Sequence, residues 1–273
     1  MFRRFITPRV GGFGAMHRTA HVQAAGQGDP DLGREFVAAE ILEQVVPWLF
    51  GEESTEVLRY FVTLKCRLMP YLFAAAAEAS RTGVPVMRAM ILEFPADPGC
   101  ATLDRQYMLG PSLLVAPVFG DDGVVTYYLP PGRWTSLIDG SVVEGGRWRT
   151  ETHGYRSLPL LARPGSIVAL GADDSRPDYD YAQGVTFHVF EPVDGAEAAA
   201  ALVSVEGRDE TAISVRRAGA QLTIRATGSG KPWSACLRNV AHVQSVEGGT
   251  AEKVPEGIRL VPARGARTIT VTI

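Results

Sequence analysis

The sequence predicts a mainly β protein in which one long amphipathic helix precedes two antiparallel β modules. Three observations support this fold class. Apolar residues recur at helical spacing over 55–81, and short apolar or alternating runs separated by Gly, Pro and Asp fill the chain after Pro85. A polar stretch with four aspartates, residues 171–183, divides those runs into two groups and is interpreted as a linker.

The helix is predicted from residues spaced three or four apart, which place one apolar face on a core. These residues are Val57, Phe61, Leu64, Leu68 and Leu72. Ser54 is expected to cap the start, because its hydroxyl can accept a hydrogen bond from a free amide of the first turn. Gly83 followed by Pro85 predicts the stop. Pro70 lies inside the pattern and predicts a kink or break.

The remaining elements are predicted strands bounded by turn residues. The first group comprises Val86–Phe94, Ser112–Phe119, Val124–Leu129, Trp134–Ile138, Arg147–Thr152 and Ser166–Leu170. The second comprises Val185–Phe190, Ala200–Glu206, Thr211–Arg216, Leu222–Ala226, Ala235–Asn239, Ile258–Val261 and Thr268–Ile273. Runs of this length and spacing favour antiparallel sandwiches or barrels.

Charge and composition exclude several classes of function. The net charge of −3 and the pI near 6.0 provide no basic field, so neither nucleic acid nor an anionic membrane is an expected partner. No apolar stretch is long enough for a membrane span. The Arg-rich, acid-poor start resembles an organelle transit peptide, but the default expectation is a poorly ordered start and a cytoplasmic protein. No cofactor is expected.

Candidate chemical groups are few. The paired aspartates lie in turns or in the linker, where we interpret them as turn formers: Asp121/Asp122, Asp173/Asp174 and Asp178/Asp180. His17 and His21 have metal-ligand spacing but lack the HExxH glutamate, and His188 alternates with phenylalanines as a structural histidine would. The three cysteines, Cys66, Cys100 and Cys236, suggest neither a disulfide framework nor a zinc site, and Cys66 is expected to be buried and inert. The residues alone therefore assign no catalytic or metal-binding group.

An ordered series of sequence motifs resembles the motifs of one known protein family. The matching stretches are Val46-Pro-Trp-Leu-Phe50, Leu58-Arg-Tyr-Phe61, Leu64-Lys-Cys-Arg-Leu-Met-Pro-Tyr-Leu-Phe73, Gly83-Val-Pro-Val-Met-Arg-Ala-Met90, Leu92-Glu-Phe-Pro95, Asp104-Arg-Gln-Tyr-Met-Leu-Gly110, Leu113-Leu-Val-Ala-Pro-Val-Phe119, Tyr128-Leu-Pro-Pro-Gly-Arg-Trp134, Glu144-Gly-Gly-Arg-Trp148 and Arg163-Pro-Gly-Ser-Ile167. Together they resemble the C-terminal part of glycoside hydrolase family 31, in its bacterial α-xylosidase/α-glucosidase branch. The resemblance covers 46–170 by motif and 171–273 by position.

The resemblance implies an architecture. Family members carry a (β/α)8 catalytic barrel followed by a proximal and a distal β-sandwich. Residues 46–84 would be the remnant of the barrel with its last helix, 85–170 the proximal sandwich, 171–183 a linker and 184–273 the distal sandwich. Residues 1–45 would be a disrupted or poorly ordered lead-in.

The resemblance also implies a retaining mechanism with two catalytic aspartates, whose carboxyls lie about 5–5.5 Å apart. Both would lie upstream of the residues that match, so no catalytic residue, substrate-binding residue or metal ligand is assigned. Asp104, Gln106 and Tyr107 are interpreted as packing and hydrogen-bonding residues.

The N-terminal stretch departs from the family. Residues 7–13, Thr-Pro-Arg-Val-Gly-Gly-Phe, loosely resemble the family's Ser-His-Asp-Ile-Gly-Gly-Phe, with Arg9 where the aspartate would stand. The family's Arg-Leu-His-Gly motif is absent from 38–45. Residues 14–45 are hypothesised to be translated out of frame, and a chance match is the alternative.

Two functions are weighed. The first is the C-terminal part of a glycosidase for α-xylosides or α-glucosides, inactive as the isolated chain, with an oligosaccharide as the substrate of the full enzyme. The second is a non-catalytic carbohydrate-binding or docking module, which needs an exposed aromatic platform. The candidates are Trp134, Trp148, Tyr155 and Trp233, for which core packing is the favoured interpretation. A barrel-facing surface left exposed at Leu64, Leu68 and Leu72 predicts self-association.

Overall fold

A computed structural model describes residues 50–273, and the sequence predictions for 1–49, including His17 and His21, lie outside this range. A long helix, α1 (Glu52–Thr82), is followed by a short helix, α2 (Met90–Glu93), and by strands that form four sheets. The predicted mainly β class is confirmed. Neither helix combines the length and apolarity that a membrane crossing would require.

Helix α1 begins earlier than predicted. Gly51 is its N-terminal cap, and Ser54 lies buried inside the first turns without a capping hydrogen bond, so the predicted role of Ser54 is wrong. The predicted stop is confirmed. Gly83 adopts φ 78°, a left-handed conformation that favours glycine, and its amide donates to the carbonyl of Ala79.

The helix continues through Pro70, so of the predicted kink or break, the break is wrong. Proline has no amide hydrogen, and the carbonyl four residues earlier, that of Cys66, therefore loses its helical donor. The hydroxyl of Tyr179 donates to this carbonyl at 2.8 Å. Next to it, the amide of Gly171 donates to the carbonyl of Arg67 at 2.7 Å. Residues 171–183 thus supply donors to the helix at the position where proline removes one.

The apolar face of α1 packs on the proximal sandwich. Val57, Phe61 and Tyr71 join its core, and Leu68 is only 5% exposed. The expectation that Leu68 stays partly exposed is therefore wrong, because the proximal core covers it. Leu64 and Leu72 are partly buried against the same core.

The proximal sandwich contains eight strands: β1 (Met87–Arg88), β2 (Tyr107–Leu109), β3 (Leu113–Val115), β4 (Val124–Leu129), β5 (Arg133–Ser136), β6 (Val142–Glu144), β7 (Arg147–Thr152) and β8 (Leu160–Ala162). Six form the antiparallel sheet β1-β2-β3-β8-β5-β6, and β4 pairs with β7. The predicted strand over 86–94 is wrong for most of its length, because α2 occupies Met90–Glu93.

The distal sandwich contains ten strands: β9 (Ser166–Leu170), β10 (Val185–Phe190), β11 (Glu197–Val203), β12 (Asp209–Ala218), β13 (Gln221–Gly228), β14 (Trp233–Arg238), β15 (Ser245–Glu247), β16 (Gly249–Val254), β17 (Gly257–Pro262) and β18 (Thr268–Thr272). Its two sheets run β16-β17-β14-β10-β9 and β11-β12-β13-β18-β15. The pairing is antiparallel except between β10 and β14, which are parallel, so the expectation of a purely antiparallel module needs this correction.

Strand β9 connects the two modules. The sequence places it at the end of the proximal range, but it pairs with β10 of the distal sheet. Its side chains alternate between the two cores: Val168 and Leu170 lie in the proximal one, and Ile167 and Ala169 in the distal one. Because β9 contributes to both cores, its alternating faces hold the two sandwiches together.

Candidate functional site

The paired aspartates lie in surface turns. Asp122 accepts a hydrogen bond from the amide of Val124 at 3.0 Å, and Asp173 accepts one from the amide of Ser175 at 2.9 Å. Asp178 forms an ion pair with Arg176. These contacts confirm the interpretation as turn formers for Asp122 and Asp173. No group of three or more His, Cys, Asp or Glu side chains within residues 50–273 could hold a metal ion.

The three cysteines are free and buried. Burial raises the pKa of the Cys66 thiol, and it raises the pKa of Cys100 and of Cys236 to about 11. Thiols with raised pKa values are poor nucleophiles at neutral pH, because only the thiolate reacts. The expectation of a buried Cys66 is confirmed.

The aromatic candidates separate into two groups. Trp134 is fully buried, with its indole nitrogen donating to the carbonyl of Pro130, and Trp233 is 9% exposed. Core packing is confirmed for both. Trp148 on β7 is different, since it is 59% exposed and its ring lies 5.8 Å from that of Tyr128. Tyr155 packs partly buried against the proximal core.

Some of the proximal residues that we interpret as structural hold strand β4 in place. Gln106 is buried, its amide nitrogen donates to the carbonyl of Tyr128, and its amide oxygen accepts from the Tyr128 amide, both at 2.7 Å. Tyr107 is buried in the same core, whereas Asp104 is exposed. The structural interpretation is confirmed for Gln106.

A cleft of about 600 Å³ lies where α1, the proximal sandwich and the distal sandwich meet. We call it the junction cleft. The helix contributes Tyr60 and Arg67 to its wall, the loop after β5 contributes Asp139, and β10 and β14 contribute His188 and Arg238. The side-chain amide of Asn239 donates to the hydroxyl of Thr135 at 3.3 Å, which joins the distal sandwich to the proximal one.

His188 is buried in the wall of this cleft, which confirms its structural interpretation. Burial lowers its pKa to about 3, with further lowering from Arg238, Arg67 and Arg259. His188 is therefore neutral near pH 7. Its Nδ1 lies 3.4 Å from a guanidinium nitrogen of Arg238. A neutral imidazole can accept there, although 3.4 Å is long for a hydrogen bond.

Sequence reasoning missed the two arginines of the cleft. Arg67 lies within the predicted helix and Arg238 within a predicted strand, and neither forms part of a recognisable motif for binding. Only the packing of three elements against one another brings them together. A single sequence carries no signal for this encounter.

Comparison with known proteins gives the same family for both modules. A family model described as the glycosyl hydrolase family 31 C-terminal domain matches residues 83–168, and one described as the C-terminal domain of alpha-xylosidase YicI matches residues 180–273. The first match covers the strands of the proximal sandwich, and the second covers the distal strands from β10 onward.

Curated relatives match over part of their length. An alpha-xylosidase of Emericella nidulans is 46% identical over 157 residues, which are 55% of this chain and 20% of that protein. Alpha-xylosidase XylQ of Lactiplantibacillus pentosus is 38% identical over 187 residues, 67% of this chain and 24% of that protein. The chain thus spans between a fifth and a quarter of the length of these relatives.

Solved structures share the fold. A family 31 dextranase of Flavobacterium johnsoniae superposes with a TM-score of 0.71 at 23% identity, over 84% of this chain and 34% of the dextranase. A family 31 alpha-xylosidase of Xanthomonas citri superposes with a TM-score of 0.56 at 26% identity, over 71% of this chain and 23% of the xylosidase. The chain belongs to glycosyl hydrolase family 31, and residues 83–168 and 180–273 correspond to C-terminal domains of that family.

Proposed function

We propose that the whole protein is a glycosidase that hydrolyses α-xylosides, and that the two sandwiches are its non-catalytic support. The observation that carries the proposal is the 46% identity to an alpha-xylosidase over 157 residues. A second relative, at 38%, is also an alpha-xylosidase, whereas the alpha-glucosidase of Bacillus thermoamyloliquefaciens is 32% identical. The α-xyloside is therefore the first substrate to test and the α-glucoside the second.

The support role follows from what α1 contacts. The helix packs on the proximal core through Val57, Phe61 and Tyr71, and the linker donates to its backbone at Cys66 and Arg67. If α1 is the last helix of a catalytic barrel, these contacts hold the barrel to the two sandwiches. The acidic side chains described above form turns and ion pairs instead of a facing pair in a pocket.

A domain exchange tests the proposal. Residues 83–273 would replace the matching part of the Xanthomonas citri alpha-xylosidase, and hydrolysis of p-nitrophenyl α-D-xyloside would be measured. We expect the chimera to fold and keep activity, while the 273-residue chain alone stays at the buffer blank. Turnover by the isolated chain would contradict the support role, and a soluble but inactive chimera would contradict the proposed relation to the barrel.

Trp148 favours a second candidate function, carbohydrate binding by the proximal sandwich. An exposed indole beside Tyr128 offers a flat apolar surface of the kind that sugar rings stack on. Titration with xylose-containing oligosaccharides should quench tryptophan fluorescence, and Trp148→Ala should abolish the change. An unchanged signal in the wild-type chain would exclude this function.

We also propose a cytoplasmic location and self-association. The location is supported by three free, buried cysteines, which suit a reducing compartment. Self-association is supported by apolar side chains exposed around α2. These are Met87, Ile91 and Leu92, at 36%, 47% and 50% exposure.

A further inference from the structure

Arg238 is the most unusual charged residue of the junction cleft. It is 6% exposed, and its Nε has no hydrogen-bond partner. Within residues 50–273 it forms no ion pair with a carboxylate. Its guanidinium carbon lies 5.4 Å from the centre of the Phe190 ring, and one guanidinium nitrogen lies 3.4 Å from Nδ1 of His188. A buried charge normally has an opposite charge as partner, because desolvation is otherwise very costly.

Arg67 faces the same cleft from α1 and has no ion pair within the described part of the chain. The charge of Arg67, together with those of Arg238 and Arg259, acts on His188 and lowers its pKa. Arg259 is already paired with Glu252 at 3.2 Å, so of these three arginines only Arg67 and Arg238 form no ion pair with a carboxylate of residues 50–273. Their positive charges reinforce each other at the cleft.

The carboxylates of the cleft do not neutralise this pair. Glu56 is engaged by Arg59 and Arg156, and Asp139 accepts hydrogen bonds from Ser141. Glu256 is exposed at the rim; its charge favours the charged form of Arg238, but it forms no ion pair with Arg67 or Arg238 within the described residues. The lining carries four arginines against three acids, so the surplus charge of the cleft is positive.

From this geometry we infer that the junction cleft is a binding site for a small anion, held through a carboxylate or phosphate group between Arg67 and Arg238. Guanidinium groups bind both kinds of anion through charge-assisted hydrogen bonds. A volume of about 600 Å³ admits a ligand of monosaccharide size. The aromatic ring of Tyr60 and the amide of Asn239 line the rest of the cleft and suit a ligand that also carries hydroxyl groups.

Calorimetric titration of the full 273-residue chain tests this inference. Inorganic phosphate and D-glucuronate are the two anionic probes, and D-glucose is the matched neutral sugar. We expect one or both anions to bind and glucose not to bind. Binding of phosphate alone identifies a phosphate-type site, and preference for glucuronate identifies a carboxylate-type site that accepts a sugar ring.

Substitutions of the two cleft arginines test whether the anion binds in the junction cleft. Arg67→Gln and Arg238→Gln should each weaken anion binding at least tenfold, whereas Arg225→Gln, which removes an exposed charge from β13 outside the cleft, should change it less than twofold. If Arg238→Gln does not fold, anion binding by Arg67→Gln alone decides the test, because the side chain of Arg67 is only half-buried and its substitution should not prevent folding. Absence of binding by both anions, or equal weakening by Arg225→Gln, would overturn the inference. The readout is binding, so it does not depend on glycosidase activity.

Discussion

His188 couples the stability of the distal sandwich to pH. Its pKa is lowered to about 3 in the folded chain by burial and by nearby arginines, against about 6.5 when unfolded. Below pH 6.5 the unfolded state therefore binds a proton that the folded state does not. The stability contributed by the neutral form is complete above pH 6.5 and is lost as the pH falls towards 3.

The corresponding prediction concerns His188→Gln. Residue 188 of this variant cannot titrate. As the pH falls from roughly 6 to 4, the free energy of unfolding of the variant, relative to that of wild type, should therefore rise by as much as about 1.4 kcal/mol per pH unit. Urea unfolding followed by fluorescence at several pH values measures the difference. His242→Gln, which changes an exposed histidine, is the control and should leave the pH dependence as it is. Parallel curves for wild type and His188→Gln would contradict the argument.

The ion pairs of Arg88 should stabilise the proximal sandwich. It is 4% exposed, and its guanidinium contacts Glu78 and Glu93, each at 2.7 Å. Arg88→Ala removes the partner of Glu93, which is 14% exposed and keeps only Arg163 at 3.0 Å. Breaking a buried pair in this way should cost about 3 kcal/mol.

Urea denaturation of Arg88→Ala measures this cost. The matched control is Arg59→Ala, which breaks the surface pair with Glu56 and should cost less than about 0.5 kcal/mol. Equal effects of the two substitutions would show that the Arg88 cluster contributes no more than a surface ion pair.

Helix α1 illustrates what a sequence pattern can and cannot predict about an element. Its existence, its buried face and its stop at Gly83 follow from periodicity and from backbone preferences, which are local. Its continuity through Pro70 could not be predicted, because it depends on a donor from Tyr179, more than 100 residues away. The polar composition of residues 171–183 indicates a linker, and yet Tyr179 of that segment docks on α1.

Among the strands, too, local patterns predict some elements, and others depend on features that no local pattern reports. Val124–Leu129, Arg147–Thr152 and Val185–Phe190 are found as predicted, since alternation and turn residues bound them. The strands at Leu160–Ala162 and Val142–Glu144 escape prediction, because three-residue runs leave no period to detect. The parallel pairing of β10 with β14 joins strands far apart in sequence, which no local pattern reports. The junction cleft is unpredictable for the same reason.

A double-mutant cycle tests the contact between linker and helix. Tyr179→Phe leaves the Cys66 carbonyl without its donor and should cost about 1–2 kcal/mol in the free energy of unfolding. In a Pro70→Ala background the new backbone amide at this position can donate to the same carbonyl, so Tyr179→Phe should cost at least about 0.5 kcal/mol less. Urea unfolding of the four chains measures the coupling.

Tyr181→Phe is the matched control for this cycle. Its hydroxyl donates to the carbonyl of Pro177 within the linker itself, so its cost should be the same in the wild-type and the Pro70→Ala backgrounds. Additive effects of Pro70→Ala and Tyr179→Phe would show that the Tyr179 hydroxyl does not compensate for the proline.

In the molecule as a whole, β9 contributes side chains to each of the two cores, and α1 packs on the proximal one. Among the exposed apolar side chains, Met87, Ile91 and Leu92 lie close together in sequence, where α2 follows α1. Leu68, which was expected to be exposed, is covered instead. We refer to these three side chains of β1 and α2 as the exposed patch; none of them belongs to the face of α1 that the sequence pattern indicates.

This exposed patch predicts the behaviour of the purified chain. Exposed apolar surface favours association, so the 273-residue chain should form dimers or larger species whose fraction rises with concentration. Ile91→Glu and Leu92→Glu together place charges on the patch and should shift the chain to monomer in size-exclusion chromatography with light scattering. Val205→Glu is the control, because Val205 is 50% exposed on the distal sandwich, and its substitution should leave the association unchanged. A wild-type chain that stays monomeric at all concentrations would contradict self-association. Association that persists in the double variant would place the contact elsewhere on the molecule.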